Sequence, residues 1–157
     1  MNIRLLLVGK TEESYLKQGM QIYSDRLGHY CKFSITEIPE LKNAKALSRD
    51  QIKERESELI LKNISPSEEL ILLDERGKMF TSVEWARQME KKFLYSSRDI
   101  TFVIGGSYGF GNAVYGRADD KISLSKMTFS HQLCRVIFLE QLYRMFTIIK
   151  GEPYHHE

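Results

Sequence analysis

The sequence predicts an α/β fold with a mostly parallel sheet flanked by helices, and three observations carry that expectation. Short apolar runs closed by glycine, proline or an acid recur along the chain, as buried strands require. The segments between them place hydrophobic residues at helical spacing, so strand and helix alternate. At 157 residues and 42% hydrophobic composition, the chain holds enough material for one packed core and too little for two, giving a single domain over residues 1–157.

Taken in order, Ile3 to Val8 is an apolar run ending at Gly9, read as a buried first strand. Leu16, Met20, Tyr23 and Leu27 then line one face of a helix. Phe33 to Ile38 alternates apolar and polar residues up to Pro39, the pattern of a half-buried strand. Residues Pro39 to Ala46 form a connection, and Ser48 to Asn63 reads as a long solvated helix with a thin stripe of Leu59, Ile60 and Ile64. Leu70 to Leu73 is the next strand, closed by Asp74. After Gly77, the residues Val83, Ala86, Met89 and Phe93 mark a third helix, and Ile100 to Ile104 a strand that runs into glycines. In open parallel sheets ligands gather beyond the carboxyl ends of strands, so the loops that start at Leu73 and Gly105 are the places to search.

Composition narrows the function classes. Charged residues make up 28% of the chain but sum to a formal charge of +2, so no broad basic field is available to hold nucleic acid, and an RNA partner would have to be recognised by shape. Cys31 and Cys134 stand far apart and outside any C-x-x-C spacing, which argues against a disulfide framework and a zinc site and for a reducing, cytoplasmic setting. The opening run through Leu5, Leu6, Leu7 and Val8 is too short for a signal segment or a bilayer span.

Three loops carry chemistry. Asp74-Glu75-Arg76-Gly77-Lys78 follows a buried strand and taken alone reads as a turn. Gly105-Gly106-Ser107-Tyr108-Gly109-Phe110-Gly111 has four glycines in seven residues, which permit close backbone approach to a ligand. It is not a dinucleotide fingerprint, because position 108 is Tyr where Gly106 would need its second glycine, and position 114 is Val where Gly109 would need its third. Gly9-Lys10-Thr11 ends like a phosphate-binding loop, but position 4 is Arg, so that match fails. The third loop, Leu124-Ser125-Lys126-Met127-Thr128-Phe129, leads through Ser130 and His131 into a final helix that is apolar almost all round, from Leu133 to Ile149. Such a helix is covered on more than one side, either by a second subunit or by packing centrally within the monomer. Arg135, Glu140 and Arg144 interrupt it, and buried charge is tolerated when paired or functional, so these residues are candidates to orient a ligand or staple an interface. The tail through Tyr154, His155 and His156 lacks a carboxylate/histidine cluster at ligand spacing, and no metal site is expected. His29 reads as a surface histidine near a helix end.

Taken together, the run Phe102 to Gly109, the segment Ile122 to Phe129, His131-Gln132, Arg135, Glu140 to Arg144 and Pro153-Tyr154-His155, with Leu6-Leu7-Val8-Gly9-Lys10 at the start, resemble the ribosomal RNA large-subunit methyltransferase H family of the SPOUT superfamily. The similarity spans essentially the whole chain. It implies a homodimer, an α/β knot with a deep C-terminal trefoil, S-adenosylmethionine as methyl donor, and methylation at N3 of a pseudouridine in 23S rRNA. Carried over position by position, the cofactor site comprises Leu73, Gly105, Leu124, Ser125, Lys126, Met127, Thr128 and Phe129. Two positions depart from the family pattern: Ser130 stands where relatives often have proline, and His156 where they often end in Arg or Lys.

On the substrate side the tail is the expected catalytic segment, with Tyr154 stacking on or hydrogen-bonding the base and His155 accepting or relaying its proton, since imidazole titrates near neutrality. Arg135 or Arg144 would meet phosphate or the cofactor carboxylate. A near-neutral chain that acts on RNA suggests an assembled particle, the ribosome, as substrate. The competing readings are a non-catalytic ribosome-binding factor and a small-metabolite α/β enzyme; the second would need a dinucleotide loop that the chain lacks.

Overall fold

In a computed structural model, which describes residues 1–156, five strands form one sheet in the order β2-β1-β4-β3-β5, every neighbouring pair parallel. The elements follow in the order β1 (Asn2–Val8), α1 (Ser14–Leu27), β2 (Lys32–Ile38), α2 (Arg49–Lys62), β3 (Glu69–Met79), α3 (Ser82–Tyr95), β4 (Ile100–Ile104), α4 (Asn112–Arg117), β5 (Asp120–Ser123) and α5 (His131–Ile149). The connection before α2 carries one short 3-10 turn, Ala44–Ala46.

Side chains alternate across the sheet, and the period of two sorts the core into two layers. Ile3, Leu5 and Leu7 of β1 join Phe102 and Ile104 of β4 beneath α1, α3 and α5. Leu6, Val8, Leu70, Leu72 and Val103 face the other way, under α2 and α4. Because central strands are covered on both faces, they read as near-continuous apolar runs. Fully burying each such side chain contributes roughly 1.5–3 kcal/mol, so the register of β1 and β4 is strongly specified.

The helices have local reasons to start where they do. Ser48 and Gln51 form a capping box at α2, and Thr81 and Glu84 form another at α3. In α2 only Ser57 and Ile60 are buried, in keeping with a helix that is mostly solvated. No helix among the described residues is long and apolar enough to cross a membrane.

Two elements differ from the sequence expectation. The segment Asp74 to Lys78 is not a simple turn: β3 continues to Met79, with a register shift in which both Leu73 and Lys78 pair with Ile122 of β5. Residues 74–76 bulge out between these pairings, toward the carboxyl end of the sheet, and line its cavity. The short elements α4 and β5 follow the glycine loop where no periodicity is long enough to announce them.

The start of β5 is tied to β3 by Asp119. Its backbone N–H donates to Leu70 O (2.9 Å), and its carboxylate accepts from Leu70 N (2.8 Å), Arg117 (3.1 Å) and Arg98 (3.4 Å). Burial alone would raise this carboxyl, but the Leu70 N–H and the two guanidinium groups outweigh it and hold it below its ordinary value. Such stabilisation is complete above the unfolded carboxylate range and is lost as pH falls through the depressed folded value. Asp119→Asn is therefore expected to lower stability by about 1 kcal/mol at neutral pH, the low end for a partly exposed group, and by less at an acid pH below the unfolded carboxylate value of about 3.9. Denaturant melts at the two pH values check it, and a gap that stays constant rules it out.

Candidate functional site

The carboxyl ends of β3 and β4 open into a cavity of about 600 Å³. Leu73, Ile104 and Phe129 give it apolar walls, the backbone of Gly105 to Gly109 forms one rim, and the bulge Asp74-Glu75-Arg76 forms the other. A smaller cavity of about 150 Å³ adjoins it, bounded by Leu124 to Phe129 and sharing Leu73, Asp74 and Glu75. All eight expected cofactor residues thus line one continuous region, although they come from three separate stretches of sequence.

Each loop is shaped by its own residues. After β4, Gly109 takes a φ of +83° and its N–H closes a turn on Gly106 O (3.2 Å), a conformation that favours glycine. A Cβ at Gly105 would stand 3.0 Å from the Phe110 ring, which folds back over it and leaves the Gly105 backbone as the cavity surface. In the third loop the Ser123 hydroxyl donates to Ser125 O (3.0 Å), and Ser125 Oγ accepts from Met127 N (3.0 Å), so residues 123–127 are held by their own side chains. Met127 is 77% exposed at the tip. Ser130 caps α5, its hydroxyl accepting from Leu133 N (3.1 Å), so the helix start that proline would pre-set is secured by a hydrogen bond instead.

Sequence reasoning missed several lining residues. Tyr115 of α4 donates a short hydrogen bond to Asp74, while Arg76 and Lys121 lie over its ring, each 5.5 Å from the centroid. Burial, then Asp74, pushes the phenol up to about 12, so it remains a donor near neutrality. His131, the first residue of α5, approaches Ser107 Oγ at 3.4 Å. Cys134 also lines the cavity, but burial pushes its thiol up to about 11, which leaves it a neutral apolar group and no nucleophile.

The tail lies elsewhere. Tyr154 packs edge-on against Tyr143 (4.7 Å), under the Arg144 guanidinium (4.8 Å), with its hydroxyl 3.4 Å from Glu140. Burial first, then Tyr23 and Glu140, pushes its phenol up to about 12. Arg144 is bound to Glu140 (2.5 Å) and donates to His155 Nδ1 (2.9 Å). Glu152 accepts from the Tyr30 hydroxyl (2.7 Å), so the chain end is docked rather than frayed. Arg144 at the tail lies thirteen positions along α5 from His131 at the cavity, about 20 Å of helix. Within one chain, then, Tyr154 and His155 do not meet the cofactor residues. Arg135 meets neither phosphate nor cofactor: it is fully buried and donates to Val8 O (2.8 Å) and Thr11 Oγ1 (2.9 Å), with Glu37 at 3.5 Å. His29 lies exposed just beyond α1, and no group of three or more potential metal ligands occurs among the described residues.

An all-parallel sheet with a glycine-walled cavity at its carboxyl edge defines a ligand-binding α/β protein, and the chain belongs to the SPOUT methyltransferase family, whose model, described as "Predicted SPOUT methyltransferase", matches residues 1–155. Among its relatives are proteins named ribosomal RNA large subunit methyltransferase H. That of Parabacteroides distasonis is 52% identical over 157 residues, the full length of both chains. That of Cytophaga hutchinsonii is 53% identical over 156 residues, covering 99% of this chain and all of the relative, and that of Christiangramia forsetii is 52% identical over 99% of both.

Proposed function

We propose that this protein is a cytoplasmic, homodimeric S-adenosylmethionine-dependent methyltransferase that modifies N3 of a pseudouridine in 23S rRNA on the assembled ribosome. The observation that carries this reading is the convergence of Leu73, Gly105 and Leu124 to Phe129 on one cavity. Full-length relatives that bear an rRNA methyltransferase name support the choice of substrate.

The cavity suits an adenosine-bearing donor. Leu73, Ile104 and Phe129 would enclose the purine, backbone groups of Gly105 and of residues 124–128 would meet its polar edges, and Asp74 and Glu75 would favour the cationic end. When bound, the donor supplies a methyl group on a sulfonium that transfers in line to nitrogen. The protein's part is to orient that methyl, exclude water and remove the imide proton from the target base.

The tail would perform the last step from the other subunit. Leu133, Ile137, Glu140 and Arg144 form a half-buried stripe along α5, and Leu133 is 39% exposed. Two copies joined antiparallel through this stripe would bring the tail of each to the cavity of the other, spanning the 20 Å or so that separates them in one chain. Tyr154, held protonated, would donate to or stack on the base. His155 would take the proton at Nδ1 once Arg144 lets go, and Arg144 has Glu140 to fall back on. The same family membership implies that the loops around the cavity are threaded as a trefoil knot.

Methyl transfer to naked rRNA, isolated large subunits and whole ribosomes tests the reading, with transfer greatest on ribosomes. Tyr154→Phe and His155→Ala are expected to lower kcat about 100-fold, the scale of a lost proton-transfer group, and to leave the donor Kd within about twofold by calorimetry. Normal turnover with weakened donor affinity would reject the assignment of the tail, and absence of donor binding would reject the enzyme.

A further inference from the structure

Tyr108 is displayed rather than buried. It precedes Gly109, whose positive φ turns the loop, and its ring is 42% exposed with the guanidinium of Arg49, the first residue of α2, 5.2 Å from its centroid. It lines the main cavity and also a second one, of about 330 Å³, with which the main cavity shares Gly106, Ser107, Tyr108 and His131. The second cavity has an apolar floor of Val8, Leu41 and Ile52 and carboxylates at its edge, Glu40 and Glu56. Burial, reinforced by Glu40, raises the Glu56 carboxyl above its ordinary value, and its buried Oε1 has no hydrogen-bond partner.

Lys45 also lines this cavity, so two acids stand against one lysine, and the lining disfavours phosphate and suits a nucleobase. A base offers a π face to an aromatic ring and amino hydrogens to a carboxyl oxygen, whereas the backbone of RNA would meet two acids. We propose that Arg49 and Tyr108 form a stacking platform for an unpaired base of the substrate RNA, seated in this second cavity next to the methylation site. The inference rests on the rRNA methyltransferase reading and adds a second base contact to it. A chain with a formal charge of +2 has little capacity to hold RNA by phosphate contacts, and stacking supplies affinity without that field. Arg49 adds a planar cation that itself stacks and that holds the tyrosine ring upright.

Direct binding to ribosomes by fluorescence anisotropy, alongside donor calorimetry and thermal melts, tests the platform. Tyr108→Ala is expected to weaken ribosome binding about tenfold, well beyond any loss of donor affinity, with melting within roughly 3 °C, because one stacked base is lost from an exposed position. Tyr108→Trp retains binding, Tyr108→Leu behaves as the alanine variant, and Arg49→Ala loses less than Tyr108→Ala. Unchanged ribosome affinity in Tyr108→Ala, an equal loss of donor affinity, or no wild-type binding to ribosomes overturns the proposal. Wild type that binds ribosomes but transfers no methyl overturns the enzymatic reading alone, and the platform is still decided by the affinity comparison.

Discussion

Gly77→Ala is expected to lower the melting temperature by roughly 6–12 °C, corresponding to about 3 kcal/mol in a domain of this size, and to weaken donor binding with it. A Cβ at this position would stand 2.5 Å from the carbonyl carbon of Ile122, 2.6 Å from its nitrogen and 2.7 Å from its Cα. The obstacle is backbone on every side, so no rotamer change relieves it, and β3 or β5 must move. Both strands border the cavity: the bulge 74–76 leaves β3 just before Gly77, and the donor loop leaves β5 just after Ile122. Gly116→Ala is the matched control. Nothing lies within 4 Å of a Cβ there, in the body of α4, and removing a helical glycine should be neutral or slightly stabilising. Equal melting temperatures for the two variants would mean that the crossing of β3 and β5 is slack and does not define the site.

Much of the fold was legible because its strands are buried on both faces. Leu70 to Leu73 carries its assignment in an unbroken apolar run, Ile3 to Val8 and Ile100 to Ile104 in runs interrupted only by Arg4 and Thr101, and α1 and α3 in their spacing. The register break in β3 was hidden because Asp74 to Lys78 has the composition of a turn, and only the pairing of Leu73 and Lys78 with the same residue of β5 shows that the strand resumes. β5 is four residues long with only Ile122 buried, too short for any period to register.

The donor cavity was legible as motifs, through resemblance, but its geometry was not. Nothing in the sequence says that Leu73, Gly105 and Phe129 meet, because that depends on strand order, with β3 between β4 and β5. Tyr115 and its hydrogen bond to Asp74 were missed for the same reason, since the two lie 41 residues apart. The tail was legible as a motif, while its distance from the cavity within one chain follows from the length of α5 and could not be read from the sequence.

Arg135→Ala is expected to cost about 3–5 kcal/mol, a large share of the stability of a single domain. Arg135 is the largest of the fully buried side chains, so truncation opens a cavity beneath α5 and also strands the Val8 carbonyl and the Thr11 hydroxyl that its guanidinium satisfies. Its charge contributes less than its hydrogen bonds. Burial lowers the guanidinium pKa, only partly opposed by Glu37, and Glu37 is 38% exposed and free to rehydrate once the arginine is gone. Arg135→Met, which refills the volume without the donors, should therefore recover part of the loss and settle at about 1–3 kcal/mol. Because Cys134 and His131 of the same helical turn line the donor cavity, the methionine variant should also bind donor more weakly at a temperature where it is fully folded. Denaturant unfolding and calorimetry on the two variants measure both effects. An alanine variant as stable as wild type would show that α5 is held by its apolar contacts alone, and a methionine variant with unaltered donor affinity would separate this anchor from the site it borders.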